Sequence, residues 1–268
     1  MTRLDDTRTF DADVYSAHVV GLATSLAKHD SGVHSHARGQ LLYTRAGCVR
    51  ISLADQVCLL PPSRAAWIPP ATAHRAVMRD TVDYRSLYFR PDVSATLPTS
   101  VRVIEVSPLL QAVLEAIAMA DFEQTWTQGR HAHLLGLCID EISTARLEPM
   151  LLPLPSDRRL SALAARPEQL PPALHVLENQ VAASGKTITR IFQRQTGMSY
   201  QQWRQQWRVM RAIELLATGH SISHTAAELE FSSDSVFIAF FKKMLGDTPG
   251  AYLGKSLGHK GAGRGAGG

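Results

Sequence analysis

At 268 residues, with 45% hydrophobic and 7% aromatic side chains, the chain is long enough for two domains, each with its own core. No apolar run approaches the roughly 20 residues that span a bilayer, and the opening Met1-Thr-Arg-Leu-Asp-Asp6 lacks a signal-peptide core, so a membrane partner is excluded and a cytoplasmic protein is expected. The formal net charge of +4 is unevenly placed: residues 1–155 hold 14 basic and 16 acidic side chains (−2), and residues 156–268 hold 14 basic and 8 acidic (+6). Positive potential therefore sits on the C-terminal half, as a polyanionic partner requires.

Residues 1–18 are polar and acidic and read as a loosely held arm. From Val19 to about Phe89 the chain reads as short strands: Val19–Ala27, Gln40–Thr44, Cys48–Leu53, Val57–Leu60, Arg64–Ile68, His74–Arg79 and Tyr84–Phe89. Gly39, Gly47, Pro61-Pro62 and Pro69-Pro70 punctuate them, as in a sandwich or barrel. Ser107-Pro108 has the form of an N-cap followed by proline at the first helical position. A helix to about Met119 and a second from about Gln128 to Thr144 are predicted. Leu134, Leu137, Cys138 and Glu141 share a face of the second, which suits either an internal core or a dimer seam. Cys48, Cys58 and Cys138 show no paired spacing and read as reduced thiols. Residues 149–155, rich in proline, are expected to resist regular structure and form a linker between domains at 19–148 and 156–253. Residues 254–268 are too glycine-rich to hold a fold and read as a disordered tail.

The C-terminal half carries one pattern twice. With an offset of 49 positions, Ile191-Phe192 falls on Phe240-Phe241, Arg194 on Lys243, Gly197 on Gly246, Ser199 on Thr248 and Trp203 on Tyr252. Each copy reads as a polar cap opening a helix with an apolar stripe, preceded by a short helix: helix-turn-helix twice. In the first copy Ser184 caps, Ile188, Ile191 and Phe192 pack inward, and Lys186, Thr187, Thr189, Arg190, Gln193 and Arg194 point outward. Arginine and glutamine suit base edges, lysine and threonine suit phosphates. In the second copy Phe237, Phe240 and Phe241 form the stripe. Its candidate face is Ser232, Ser233, Asp234, Ser235, Val236, Ile238, Ala239, Lys242 and Lys243, which is less basic. Between the copies a helix from Trp203 to a glycine stop at Gly219 places Arg204 and Arg208 one turn apart, where they are expected to grip phosphates.

These residues resemble the DNA-binding domain of the AraC/XylS family of bacterial transcription regulators. The resemblance runs through Ile188–Ser199, Trp203–Arg208, Ala212–Gly219 and from Ile222 to Pro249. It implies seven helices with two helix-turn-helix units that read adjacent major-groove segments. Three positions depart from the family pattern: Glu178 replaces a small alanine, Ala182 a turn glycine, and Glu230 the glycine before Phe231. If position 230 needs a left-handed backbone, a non-glycine residue costs roughly 1–2 kcal/mol.

In the N-terminal half His34-Ser-His36 is expected to place two imidazoles on one face of a strand, with Gln40 four residues on and His74 after a proline-rich turn. This order resembles the two motifs of the cupin barrel, and Arg64-Ala-Ala-Trp67-Ile-Pro-Pro resembles the sensor cupins fused to AraC-type domains. The expected fold is therefore α+β in two domains: an N-terminal cupin-like β-barrel with following helices, then an all-α domain with two helix-turn-helix units. His34, His36, Gln40, Trp67 and His74 are the effector-pocket candidates. His34, His36 and His74 are candidate ligands for a divalent transition metal. A polar pocket without metal and plain surface histidines remain open at this point.

The expected function is a sequence-specific transcription regulator with double-stranded DNA and a small-molecule or metal effector as partners. It would act as a homodimer in the bacterial cytoplasm, on the nucleoid when bound, with RNA polymerase as a further contact. Two alternatives are a metal-dependent cupin enzyme with a helical appendage, and a regulator whose DNA affinity has been weakened by Glu178 and Glu230.

Overall fold

The computed structural model describes residues 10–165 and 169–257, and the chain divides at about Leu151 into two compact units. In the N-terminal unit and its C-terminal continuation, ten strands form two antiparallel sheets. They are β1 (Val19–Leu26), β2 (His29–Asp30), β3 (Gly39–Ala46), β4 (Val49–Ser52), β5 (Gln56–Leu60), β6 (Arg64–Ile68), β7 (Arg75–Met78), β8 (Val82–Phe89), β9 (Arg102–Glu105) and β10 (Leu151–Pro153). The first sheet has the order β1-β8-β3-β6-β9 and the second β10-β5-β4-β7-β2. Seven of these strands lie where the apolar runs and turn residues put them. The short β2, β9 and β10 have too few residues to show a period.

Alternation along the first sheet sends successive side chains to opposite faces. Leu41 in β3, Trp67 in β6, and Leu87 and Phe89 in β8 share one face. They pack on α1 (Pro108–Ala118) and α2 (Gly129–Thr144) through Leu110, Val113, Leu114, Leu135, Cys138 and Ile142. Ser107 caps α1 as expected, its Oγ accepting from Leu110 N at 3.0 Å. Gly21 lets α1 lie close, since a Cβ there would come within 2.3 Å of the Ile117 carbonyl oxygen. On α2, Leu135, Cys138 and Ile142 are the buried line, and Leu134 and Leu137 pack beside it, so this face serves the core of its own unit. All three cysteines are free and buried.

Two expectations about irregular segments are corrected. Residues 10–17 are tied down rather than loose: Phe10 packs on Tyr15, Tyr88 and Phe122, Asp13 Oδ2 accepts from Ala37 N at 2.7 Å, and Ala12 and Ala17 are buried. The proline-rich linker contains β10, which lies beside β5. Proline is tolerated at such an edge because the missing N–H faces away from the ladder.

The C-terminal unit comprises α3 (Ser161–Ala165), α4 (Leu174–Val181), α5 (Gly185–Thr196), α6 (Tyr200–Ala217), α7 (Ile222–Glu228), α8 (Asp234–Leu245) and α9 (Pro249–Leu257). The helical repeat is real: α4–α5 and α7–α8 are the two helix pairs, and α6 joins them. Helix α9 runs four residues past Leu253, into the segment expected to be disordered, and the rest of that expected tail, residues 258–268, lies outside the described residues. Among the described residues no helix is long and apolar enough to cross a membrane.

Candidate DNA-reading surface and effector cavity

Helix α5 starts where Ser184 Oγ accepts from Thr187 N at 3.3 Å, and it ends at left-handed Gly197. Ile188, Ile191 and Phe192 are buried, and Phe192 sits 5.0 Å from the Tyr200 ring and 5.3 Å from that of Trp203. The opposite face presents Lys186, Arg190, Gln193 and Arg194 in the open, as the helical spacing predicts, whereas Thr187 and Thr189 are half-buried. Gln193 is partly committed, since its Nε2 donates to the Gly197 carbonyl at 3.0 Å.

Helix α8 starts with Ser233 Oγ accepting from Val236 N at 3.3 Å. Phe237 and Phe241 are fully buried, Phe241 against Tyr252, while Phe240 is half-buried against Phe231. Ser232, Ser233, Ser235, Val236, Ala239, Lys242 and Lys243 are exposed. Asp234 is held by the Ser223 hydroxyl at 2.5 Å, and Ile238 is half-buried.

Arg204 and Arg208 do not project as free phosphate grips. Arg204 Nε donates to the Pro171 carbonyl at 2.6 Å, and its NH2 meets Glu230 Oε2 at 3.2 Å. Arg208 donates to the Leu229 carbonyl and lies 3.8 Å over the Phe231 ring. Burial, with Arg204 adding repulsion, lowers its guanidinium to about 10, still charged at neutral pH. Helical spacing put both on one side of α6, but that side faces the second turn. They brace that turn instead of standing clear of it.

The departures from the family pattern also have internal partners. Ala182 (φ 48°) and Glu230 (φ 57°) adopt left-handed backbone, so both turns keep the conformation that glycine favours. Glu178 Oε1 accepts from Gly185 N at the first turn of α5. A carboxylate there satisfies an orphan amide and opposes the positive end of the helix dipole. Gly185 leaves room for it, since a Cβ would stand 2.8 Å from that oxygen.

In the N-terminal unit a cavity of about 600 Å³ opens between the two sheets. Leu22, Thr24 and Leu26 of β1, Gln40 and Leu42 of β3, and Tyr84 and Tyr88 of β8 line it at period two, with Ala76 and Met78 from β7 opposite. The three histidines meet here, their ligand atoms all within 4.8 Å of one another. His34 and His36 reach the site from a loop, not from a strand. His34 forms only an isolated antiparallel bridge with His74, through mutual backbone bonds of 2.9 Å.

Trp67 is not in this cavity. It pairs with Leu41 in the β3–β6 register, whereas Gln40 pairs with Ile68, so Trp67 shares the helix-facing side with Leu41. Its Nε1 donates to the Pro98 carbonyl at 2.7 Å. A motif singled out Trp67 as a pocket candidate, but strand parity decides where it points.

Each imidazole of the triad has its Nδ1 beside a backbone carbonyl two residues away. His34 faces Gly32 O at 3.1 Å, His36 faces Arg38 O at 2.5 Å, and His74 faces Thr72 O at 2.8 Å. A carbonyl can only accept, so in the neutral imidazole the proton sits on Nδ1 and the Nε2 lone pair is left for a ligand. Metal-binding histidines are oriented in this manner. Burial, with smaller contributions from the two neighbouring imidazoles, lowers His74 to about 4 despite its bond to Thr72, keeping it neutral.

Gln40 Nε2 donates to Ser86 Oγ at 2.8 Å and to Tyr88 Oη at 3.1 Å, which directs Oε1 to within 3.2 Å of His36 Nε2. With the proton on Nδ1, His36 Nε2 and Gln40 Oε1 are two electron-rich atoms facing each other across a gap that a cation would bridge. The residues thus fit a divalent ion bound by three imidazoles and one amide oxygen. Tyr88 and Ser86, which aim Gln40, were not singled out in the sequence. Their period-two spacing along β8 was the available signal.

A model of the AraC-like ligand binding domain matches residues 16–138, and a model of a helix-turn-helix domain matches residues 177–255. The chain belongs to the AraC family. It is an AraC-type DNA-binding transcription regulator with an N-terminal ligand-binding domain. Among relatives, the HTH-type transcriptional regulator NimR of Escherichia coli is 28% identical over 231 residues, covering 84% of this chain and 83% of that protein. The regulator RipA of Corynebacterium diphtheriae is 32% identical over 117 residues, 43% of this AraC-type chain and 35% of that one. The DNA-binding domain of AdpA, solved in complex with a target DNA, aligns with 40% of this chain and all of its own, at 28% identity and a TM-score of 0.36.

Proposed function

We propose that this regulator reads DNA chiefly with α5 and that a divalent transition metal held in the N-terminal cavity controls the reading. The observation that carries the second part is the meeting of His34, His36 and His74, whose ligand atoms all lie within 4.8 Å of one another. Each Nδ1 lies beside a backbone carbonyl, which in the neutral imidazole leaves Nε2 as the ligand atom, and His36 Nε2 lies 3.2 Å from Gln40 Oε1. His34, His36 and His74 would hold the ion with Gln40 as the weaker fourth donor. The bound ion would supply a fixed positive charge and open coordination positions.

For DNA, Arg190 and Arg194 are the base-reading candidates, supported by Lys186, Thr187, Thr189 and Gln193. Ser232, Ser233, Ser235, Val236, Ala239, Lys242 and Lys243 on the second unit mainly set register against the backbone. Effector occupancy would shift a pre-existing equilibrium between arrangements that bind the operator well and poorly. The working form is a homodimer in the bacterial cytoplasm, associated with the nucleoid when bound and able to contact RNA polymerase. Catalysis is not part of the reading, and the regulator NimR, similar over both halves, supports that choice.

Genome-wide mapping of bound DNA in cells carrying the wild type or His74→Ala, combined with metal analysis of both purified proteins, tests the proposal. Discrete wild-type sites, about one ion per chain, and altered occupancy in the variant are expected. A metal-free wild type, or identical maps, would count against metal control. A lack of discrete sites would count against the DNA reading.

A further inference from the structure

The metal reading accounts for one end of the cavity and leaves most of its volume unassigned. The cavity measures about 600 Å³. A water molecule takes about 30 Å³ of liquid volume, so an ion with a few waters would fill only a small part of it. Cavities of roughly 300–1,000 Å³ are the size that encloses organic ligands.

Beyond the histidines the wall is apolar at Leu22, Leu42, Ala76 and Met78, with the Tyr84 and Tyr88 phenols among them. The charged groups that line the cavity are all acids: Asp11, Asp13 and Asp30. Among the described residues no lysine or arginine lines it. Asp30 is engaged by Arg75 outside the lining, and Asp13 by Ala37 N. A free carboxylate or phosphate would lose its hydration here without gaining a cationic side chain, which is costly. The positive charge for an oxygen ligand has to come from somewhere other than the wall.

We infer that the effector is a small metal chelator: a molecule with two oxygen donors for a triad-bound divalent ion and an apolar body that lies against Leu22, Leu42 and Met78. The inference rests on the metal reading above. Three imidazoles and one amide oxygen are four donors, so an ion that takes six keeps two for an outside pair. The ion supplies the charge the wall lacks, and the wall selects the body by size.

The test uses the full-length protein loaded with Co²⁺, and hexanohydroxamic acid as the chelating probe. Hexanoic acid and hexylamine are the controls of equal chain length. Binding is followed by calorimetry and by the visible absorption of the bound cobalt. The hydroxamate should bind the loaded protein at least tenfold more tightly than the metal-free protein and shift the cobalt spectrum. Lengthening the chain from two to six carbons should tighten binding by up to about fourfold per methylene, the effect of burying one such group.

If cobalt does not bind, the metal reading and this inference fall together. If cobalt binds but the hydroxamate gains nothing over the two controls, shows no chain-length dependence, or strips the ion from the protein, the chelator inference is overturned and the metal reading stands. The separate cobalt titration keeps the two failures apart.

Discussion

The two helix-turn-helix units share a plan and differ in how each is held. Both reading helices begin at a serine cap, end at a left-handed glycine and bury two aromatic or aliphatic turns. Both connecting turns use a non-glycine residue in left-handed conformation, Ala182 in the first and Glu230 in the second. The first unit is anchored by polar contacts at the start of its reading helix: Glu178 on the Gly185 amide, with the half-buried carboxylate fitted by a glycine. The second is anchored by two arginines of α6, with Arg208 over Phe231 and Arg204 paired with Glu230. The open face of α5 carries three cationic side chains and that of α8 carries two, both near its C-terminal end. A shared fold therefore places two helices alike, while the residues on them differ in charge, and the proposed division of reading from positioning rests on that difference.

The largest expected effect is at the first face. Arg190→Ala and Arg194→Ala should each weaken operator binding by about 1–3 kcal/mol if they contact bases, relaxing specificity at one position. Lys242→Ala and Lys243→Ala should change affinity less and mainly reduce the salt slope. Fluorescence titrations at several salt concentrations check this. Equal losses on both helices would erase the proposed division.

Glu178→Ala comes next. Loss of a helix cap costs about 0.5–2 kcal/mol, so the thermal midpoint of the C-terminal unit should fall and operator affinity should fall with it. Glu178→Gln should retain most of both. Had Glu178 acted only by repelling phosphate, removing it would tighten binding, and that result would discard the anchoring role.

Ala182→Gly should stabilise the first turn by about 0.5–1 kcal/mol, because relief of left-handed strain outweighs the added chain entropy. Chemical denaturation measures it, and a loss of stability would contradict the strain. Glu230→Gly gains the same relief but loses the largely exposed pair with Arg204, which is worth about 0–1 kcal/mol. A net change within about 0.5 kcal/mol and a less than twofold change in DNA affinity are expected. A marked tightening would revive the idea of a weakened regulator.

Much of this organisation was legible in the sequence because it rests on local chemistry. Ser107-Pro108, Ser184 and the period of Ile188, Ile191 and Phe192 specify where helices start and which side they bury. Two cupin-like motifs grouped His34, His36, Gln40 and His74, and the fold brings these four side chains together. What failed depended on long-range geometry. Trp67 was assigned to the cavity because its parity relative to Gln40 depends on the β3–β6 register. Arg204 and Arg208 looked free because their partners, Pro171, Leu229 and Glu230, lie about 20 to 35 residues away. Glu178 looked like a liability because its acceptor role appears only once the α4–α5 turn brings Gly185 to it.

Metal control of DNA reading is tested most directly by one titration. A fluorescent operator fragment taken from the mapped sites is titrated with metal-free protein and with Ni²⁺-loaded protein, for the wild type and for His74→Ala. The account predicts at least a fivefold difference in the wild type, as coupling of about 1–3 kcal/mol gives, and superimposable curves in the variant. Wild-type curves that coincide with and without metal, while the ion is bound, would contradict it.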